Sequence, residues 1–126
     1  MSTRVLVIED NAANLDLMTY LLRSLGYEVF SELNGLSGLQ TATERPFDLV
    51  LADILMPQMD GYEFARRFKA VPHLVDIPLI AVTALAMPGD REKIIASGFD
   101  GYLSKPIDPQ HFAEQIDGFL SKKSHG

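Results

Sequence analysis

The chain has 126 residues, 47% of them hydrophobic and 22% charged, which suffices for one domain with its own core and excludes intrinsic disorder. It has no cysteine, which excludes disulfides, thiol catalysis and cysteine-bound metals and fits a reducing cytoplasm. The net charge of −6 gives no indication of direct nucleic-acid binding, and no apolar run approaches the roughly 18 residues of a membrane span. We therefore expect a cytoplasmic globular domain that binds neither nucleic acid nor a membrane.

Short apolar runs alternate with helical patterns along the whole chain. The first run, residues 5–8, is rich in β-branched residues and too short for a signal peptide, so it predicts a buried strand. Apolar residues at helical spacing follow it, and Gly26 ends that helix. After a weaker strand at 28–31, Asn34 caps a second helix, which Pro46 terminates.

The same alternation continues in the second half of the chain. Strands are predicted at 49–52, 79–82 and 101–103, each followed by a helical pattern. Turn and helix-start residues delimit these helices: Pro57 and Gly61, Pro88 and Gly89, Gly98, and Pro109.

Five strand–helix units predict an α/β fold, a doubly wound five-stranded parallel sheet with helices on both faces. No internal repeat or low-complexity segment interrupts this pattern. The tail, residues 121–126, is the one segment whose composition is typical of a linker or a frayed end. We therefore assign residues 1–121 to one domain and residues 122–126 to a polar C-terminal tail.

Polar residues collect where the predicted strands end, which is the edge at which open α/β sheets carry their sites. They are Glu9 and Asp10 after the first strand, Asp53 after the third, Thr83 after the fourth, and Ser104 and Lys105, followed by Pro106, after the fifth. Three carboxylates against one ammonium leave an excess of negative charge that a divalent cation would balance. Oxygen ligands favour Mg²⁺, with Mn²⁺ as the alternative. The set predicts chemistry on a phosphoryl group, with one carboxylate as the nucleophile.

Each of these residues has an ordinary structural role when it stands alone. An acid after a strand is often a turn residue, a threonine is often a cap or a strand former, and a lysine is usually solvated. Only their joint occurrence at strand ends indicates a site. The three histidines, His73, His111 and His125, are scattered, and we interpret them as surface residues.

Four segments strongly resemble the CheY-like receiver domains of two-component response regulators. They are VLVIEDN at 5–11, LVLADILMPQMDGYEF at 49–64, IPLIAVTALA at 77–86 and GYLSKPI at 101–107. The resemblance extends over essentially the whole chain, and the order and spacing of the four segments are more specific than any one of them. The resemblance implies a flavodoxin-like sheet with strand order 2-1-3-4-5. It also implies a phosphoacceptor signalling switch rather than an enzyme, with at most self-phosphorylation and self-dephosphorylation activity.

By this resemblance, Asp53 is the phospho-acceptor and takes the phosphoryl group from a histidine kinase or a histidine phosphotransfer protein. Asp10 and Asp53 ligate Mg²⁺ directly, and Glu9 acts mainly through water. The backbone carbonyl of Leu55 is a further ligand. Lys105 holds the phosphoryl oxygens.

The resemblance also implies how the switch works. Thr83 turns its hydroxyl toward the phosphoryl group, and Tyr102 moves inward as its aromatic partner. Pro106 follows a cis peptide bond that aims Lys105. Phosphorylation adds about −1.5 to −2 charge and so changes partner binding. The cognate kinase, the output protein or domain and the oligomeric state stay open, as does whether the receiver stands alone or belongs to a longer chain.

Leu55 and Leu85 stand two residues after Asp53 and Thr83. In the family that the chain resembles, these two positions flank the path of the hydrolytic water. Neither side chain can orient water, so we expect slow self-dephosphorylation. Three alternatives remain: a pseudo-receiver that binds partners without phosphorylation, a phosphatase or phosphotransferase, and a flavin-binding relative. The intact polar set argues against the first. Leu55 argues against the second, because such enzymes often carry an acid at that position. A phosphate-cradling loop after the first strand is missing, which argues against the third.

Overall fold

The computed structural model describes residues 3–85 and 87–125, with side chains up to residue 121. The strands are β1 (Arg4–Ile8), β2 (Glu28–Glu32), β3 (Leu49–Asp53), β4 (Leu79–Thr83) and β5 (Gly101–Ser104). The helices are α1 (Ala12–Ser24), α2 (Gly35–Glu44), α3 (Gly61–Lys69), α4 (Asp90–Ala96) and α5 (Pro109–His125), with a 3-10 turn at Pro72–Leu74. All strand pairs are parallel and the order is β2-β1-β3-β4-β5, so the predicted fold class and strand order are confirmed.

Alternating side chains of the strands build two cores, one on each face of the sheet. Along β1, Val5 and Val7 join the core under α1 and α5, whereas Leu6 and Ile8 join the core under α2, α3 and α4. Strands β3 and β4 are buried at every position, while the edge strands β2 and β5 are partly exposed. This arrangement explains the short continuous apolar runs of the central strands, because both of their faces are covered.

Side-chain caps begin three of the helices just beyond the ends of strands. Asn11 caps α1, Asn34 caps α2 and Asp60 caps α3. In each case a side-chain oxygen accepts a hydrogen bond of 2.8 to 3.0 Å from the backbone N–H three residues on. The caps therefore fix where each helix leaves the edge of the sheet.

The observed elements differ from the predicted ones at their ends. Asp53, Thr83 and Ser104 are the last residues of their strands rather than the first residues of loops, because they still pair with the neighbouring strand. Helix α5 extends to His125, so the backbone is helical over 122–125, where we expected a tail; residue 126 lies outside the described residues. The domain boundary at residue 121 stays a prediction. None of the helices in the described part of the chain is long and apolar enough to cross a membrane.

The core beneath α5 yields a stability prediction. Ile116 is fully buried there, so Ile116→Ala should lower the free energy of unfolding by about 2–5 kcal/mol through lost burial and a residual cavity. Urea denaturation followed by circular dichroism measures this change. The exposed neighbour Gln115 provides the control, since Gln115→Ala should stay within about 0.5 kcal/mol of the parent. Equal effects of the two substitutions would contradict the described packing of α5.

Candidate functional site

Three of the predicted polar residues are buried at the carboxyl edge of the sheet. Glu9, Asp53 and Thr83 are at most 4% exposed and are the buried polar residues of the described part of the chain. Strand β3 lies between β1 and β4, so Asp53 at its end is flanked by Glu9 on one side and Thr83 on the other. The strand order thus brings together residues that lie far apart in the sequence.

The Lys105 ammonium lies between the two buried carboxylates. Its Nζ is 3.0 Å from Glu9 Oε1 and 3.0 Å from Asp53 Oδ2. The backbone N–H of Lys105 donates to the Thr83 carbonyl at 2.8 Å, which ties the segment after β5 to the end of β4. The Lys105–Pro106 peptide bond is cis, the form that the resemblance implies. One cation from the segment after the edge strand β5 therefore contacts acids at the ends of β1 and β3 and offsets one of their two negative charges.

Backbone N–H groups hold the remaining oxygens of both carboxylates. Leu55 donates to Asp53 Oδ1 at 3.2 Å, and Asn11 donates to Glu9 Oε2 at 3.2 Å. Sequence reasoning missed both donors. Leu55 stands two residues after Asp53, which is the spacing at which an aspartate bonds its own backbone, so this spacing was the available signal for that donor.

Glu9, Asp10 and Asp53 form the acidic cluster expected from the sequence. Each offers a carboxylate oxygen within 4.8 Å of the others, and Asp10 is the exposed member. Glu9 Oε1 is buried and receives no well-aligned hydrogen bond from the described residues; its contact with Lys105 is an ion pair. Three clustered carboxylates, of which Lys105 contacts two, fit a hard divalent cation.

The pKa values of Glu9 and Lys105 reflect this crowding. Burial, followed by the neighbouring Asp53, raises the pKa of the Glu9 carboxyl to about 7, although Lys105 and the Asn11 N–H oppose the rise. Burial lowers the pKa of the Lys105 ammonium, but its contacts with Glu9 and Asp53 outweigh burial, and the net pKa lies above 10.5. Lys105 therefore stays charged, and the site favours additional positive charge.

Thr83 and Tyr102 differ in burial: Thr83 is buried at the same edge of the sheet as the acidic cluster, and Tyr102 is exposed. The buried Thr83 Oγ1 accepts a hydrogen bond of 2.9 Å from the Leu85 N–H. Tyr102 is 37% exposed, and a cavity of about 150 Å³ lies beside it. The cavity is lined by Leu85, Met87, Asp90, Arg91, Ile94 and Tyr102. The structure thus brings Thr83 to the site and leaves Tyr102 at the surface.

Comparison with known families agrees with this geometry. The family model of the response regulator receiver domain matches residues 5–117. The chain belongs to the response regulator receiver family, and it is a phosphoacceptor switch of two-component signalling rather than a turnover enzyme. Receiver domains of this family interact with histidine kinases and with downstream effectors.

Individual relatives are similar over almost their full length. The polar-differentiation response regulator DivK of Brucella anthropi is 42% identical over 120 residues, which are 95% of this chain and 98% of the relative. A receiver domain of a sensor histidine kinase from Pseudomonas aeruginosa is 31% identical, with a TM-score of 0.88. The match covers 96% of this chain and 99% of that domain, which was solved with a magnesium ion coordinated in its active-site cleft. Chemotaxis protein CheY4 of Vibrio cholerae is 25% identical with a TM-score of 0.89, over 94% and 99% of the two chains.

His73 and His111 do not belong to the acidic cluster and are surface residues, as expected. His73 and His111 are exposed, and the side chain of His125 lies outside the described residues. His111 contacts Asp108, which also accepts a hydrogen bond of 3.0 Å from the Gln110 N–H at the start of α5. The hydrogen bond to Asp108 raises the pKa of His111 above 6.5, and the same contact lowers the pKa of Asp108 below 3.8.

This pair yields a pH prediction. The stability that the protonated His111 contributes is fully present below pH 6.5 and is lost as the pH rises through its raised pKa. The stability that the ionised Asp108 contributes is lost as the pH falls through its lowered pKa. NMR titration of the imidazole should give a pKa above 6.5 in the parent and a lower one in Asp108→Asn, where Glu114 is retained. A His111 pKa that Asp108→Asn leaves unchanged would contradict the pairing.

Proposed function

We propose that Asp53 is the phospho-acceptor and that its donor is a phosphohistidine on a histidine kinase or a histidine phosphotransfer protein. One carboxylate oxygen attacks phosphorus, the P–N bond to the imidazole breaks, and the imidazole leaves with the bonding pair and then takes up a proton. The observation that carries the proposal is the placement of Asp53. Its carboxylate is buried at the end of the central strand, 3.0 Å from Lys105 and inside the acidic cluster.

Mg²⁺ is the cation that this proposal assigns to the acidic cluster, with Mn²⁺ as the alternative. Asp10 and Asp53 would hold it directly, Glu9 through water, and the Leu55 carbonyl would be a further ligand. When bound, the cation supplies positive charge where negative charge builds up on the phosphoryl oxygens. Three carboxylates whose oxygens lie within 4.8 Å of one another, against the single positive charge of Lys105, support this assignment.

Lys105 and Thr83 would report phosphorylation to the surface. Lys105 exchanges its contact with Asp53 Oδ2 for a phosphoryl oxygen. Thr83 Oγ1 now accepts from the Leu85 N–H, so its own proton stays available for donation to the phosphoryl group. Tyr102 would move inward into the adjacent cavity, and the surface of α4, β5 and α5 would bind partners differently. The receiver would act in the cytoplasm.

A small-molecule donor tests the role of Asp53. Incubation with acetyl phosphate and Mg²⁺ should add the mass of one phosphoryl group to the intact protein, and Asp53→Asn should abolish the addition because the amide is not a nucleophile. Asp76→Asn, which changes an exposed acid elsewhere, is the matched control and should be labelled like the parent. Labelling that persists in Asp53→Asn would refute the assignment, and many turnovers of a free substrate would favour an enzyme.

The lifetime of the phosphoprotein is a second prediction of this proposal. Leu55 is 61% exposed beside Asp53 and carries only carbon, so it cannot orient a hydrolytic water. The isolated phosphoprotein should persist for minutes rather than seconds with Mg²⁺. Leu55→Asn should shorten that lifetime about tenfold, because an amide can orient the water. This effect is smaller than the roughly 10²–10⁴-fold rate acceleration that full acid–base catalysis gives. Leu33→Asn, at the similarly exposed Leu33 of the β2–α2 loop, should not change it. Decay of the parent within seconds would contradict slow dephosphorylation.

A further inference from the structure

Gly61 closes the loop that follows the proposed phospho-acceptor. It is the first residue of α3, and its N–H donates to the Ile54 carbonyl at 2.8 Å. The intervening loop, residues 55–60, therefore leaves β3 and returns to within one residue of the end of that strand. Helix α3 begins in direct contact with the backbone that carries Asp53.

The close approach depends on the missing side chain of Gly61. A Cβ atom at this position would lie 2.6 Å from the Asp53 carbonyl oxygen and 2.6 Å from Ile54 Cα. These distances are about 1 Å shorter than the ~3.5–4.0 Å at which carbon atoms pack. Both contacted atoms belong to the backbone, so no side-chain rotation relieves the overlap. At Gly38, by contrast, the three atoms nearest to a Cβ would belong to the side chain of Ile8, and at Gly118 a Cβ would meet nothing within 4 Å.

The backbone that Gly61 touches is also the backbone that sets the site. Asp53 ends β3, the Ile54 N–H bonds the Val82 carbonyl on β4 at 3.3 Å, and the Leu55 N–H bonds Asp53 Oδ1 at 3.2 Å. A side chain at position 61 must displace either the start of α3 or this segment. Displacement of the segment moves the carboxylate of Asp53, its N–H donor and the Leu55 carbonyl together.

We propose that Gly61 is a positioning residue for phosphoryl transfer: the absence of a side chain lets α3 hold the Asp53–Leu55 backbone where the carboxylate and the Leu55 peptide meet the incoming phosphoryl group. This inference rests on the proposed role of Asp53. It adds a residue that touches neither the phosphoryl group nor the cation and acts through backbone placement.

The substitution Gly61→Ala tests the proposal. With saturating acetyl phosphate and Mg²⁺, its maximal labelling rate should fall about 10- to 100-fold, because displacements near 1 Å at a reacting group have effects of that size. In the metal-free protein, the NMR resonance of the Leu55 amide should shift as its bond to Asp53 changes. Helix propensity alone favours alanine over glycine, so a loss on this substitution has a steric cause.

Two variants separate positioning from general effects. Gly118→Ala makes the same change in open space on α5 and should be labelled like the parent. Ile116→Ala weakens the core on the other face of the sheet, and measured well below its melting temperature it should keep the parent rate and the parent Leu55 resonance. A slow Gly61→Ala beside normal rates for both controls supports the proposal.

The remaining outcomes overturn either this inference or the function on which it rests. Parent-like labelling and an unshifted Leu55 amide in Gly61→Ala overturn the positioning role alone, whereas an unlabelled parent overturns the proposed function. If Gly61→Ala does not fold, it is measured again in the Gly118→Ala background at low temperature. An alanine variant that folds under neither condition assigns Gly61 to folding as a whole and overturns the positioning role.

Discussion

The ion contact of Lys105 with Glu9 and Asp53 is the interaction on which the site depends. Two buried carboxylates side by side repel each other, and an unpaired buried charge is costly. Burial, and after it the neighbouring Asp53, raises the pKa of Glu9. The ammonium, 3.0 Å from one oxygen of each acid, offsets only one negative charge, which leaves a deficit of positive charge. This deficit is useful for phosphoryl transfer, because the same edge of the sheet then attracts a cation and, with it, an anionic phosphoryl group.

The parallel sheet makes this crowding possible at a fixed place. Strands β1, β3 and β4 end at one edge, and pairing with neighbouring strands holds Asp53 and Thr83 in register. The Glu9 N–H, just after β1, donates to the Glu32 carbonyl of β2 at 3.1 Å. The two cores that cover the sheet stabilise the strand ends, so the acids stay buried although their burial is unfavourable. The loops after the strands supply further contacts to the acids, among them the N–H of Leu55 and the side chain of Lys105.

Much of this architecture is predictable from the sequence, because strand periodicity, caps and turn residues act locally. The alternation of strands and helices gives the α/β fold, and the polar residues at strand ends give the members of the site. What depends on tertiary contacts was not predictable. Asp53 and Thr83 belong to their strands because neighbouring strands extend far enough to pair with them. The exposure of Tyr102, the contact of Gly61 with the Asp53 backbone and the helical continuation of α5 to His125 likewise depend on how elements meet in space.

The central claim is that the phosphoryl group resides on Asp53 and on no other acid of the cluster. Borohydride reduces an acyl phosphate to an alcohol, so treatment of the phosphorylated protein followed by peptide mass analysis locates the modified carboxyl directly. Reduction is expected at residue 53, where the aspartate becomes homoserine, with Glu9 and Asp10 unchanged. Reduction at Glu9 or Asp10, or none in a protein that carries the added mass, would contradict it.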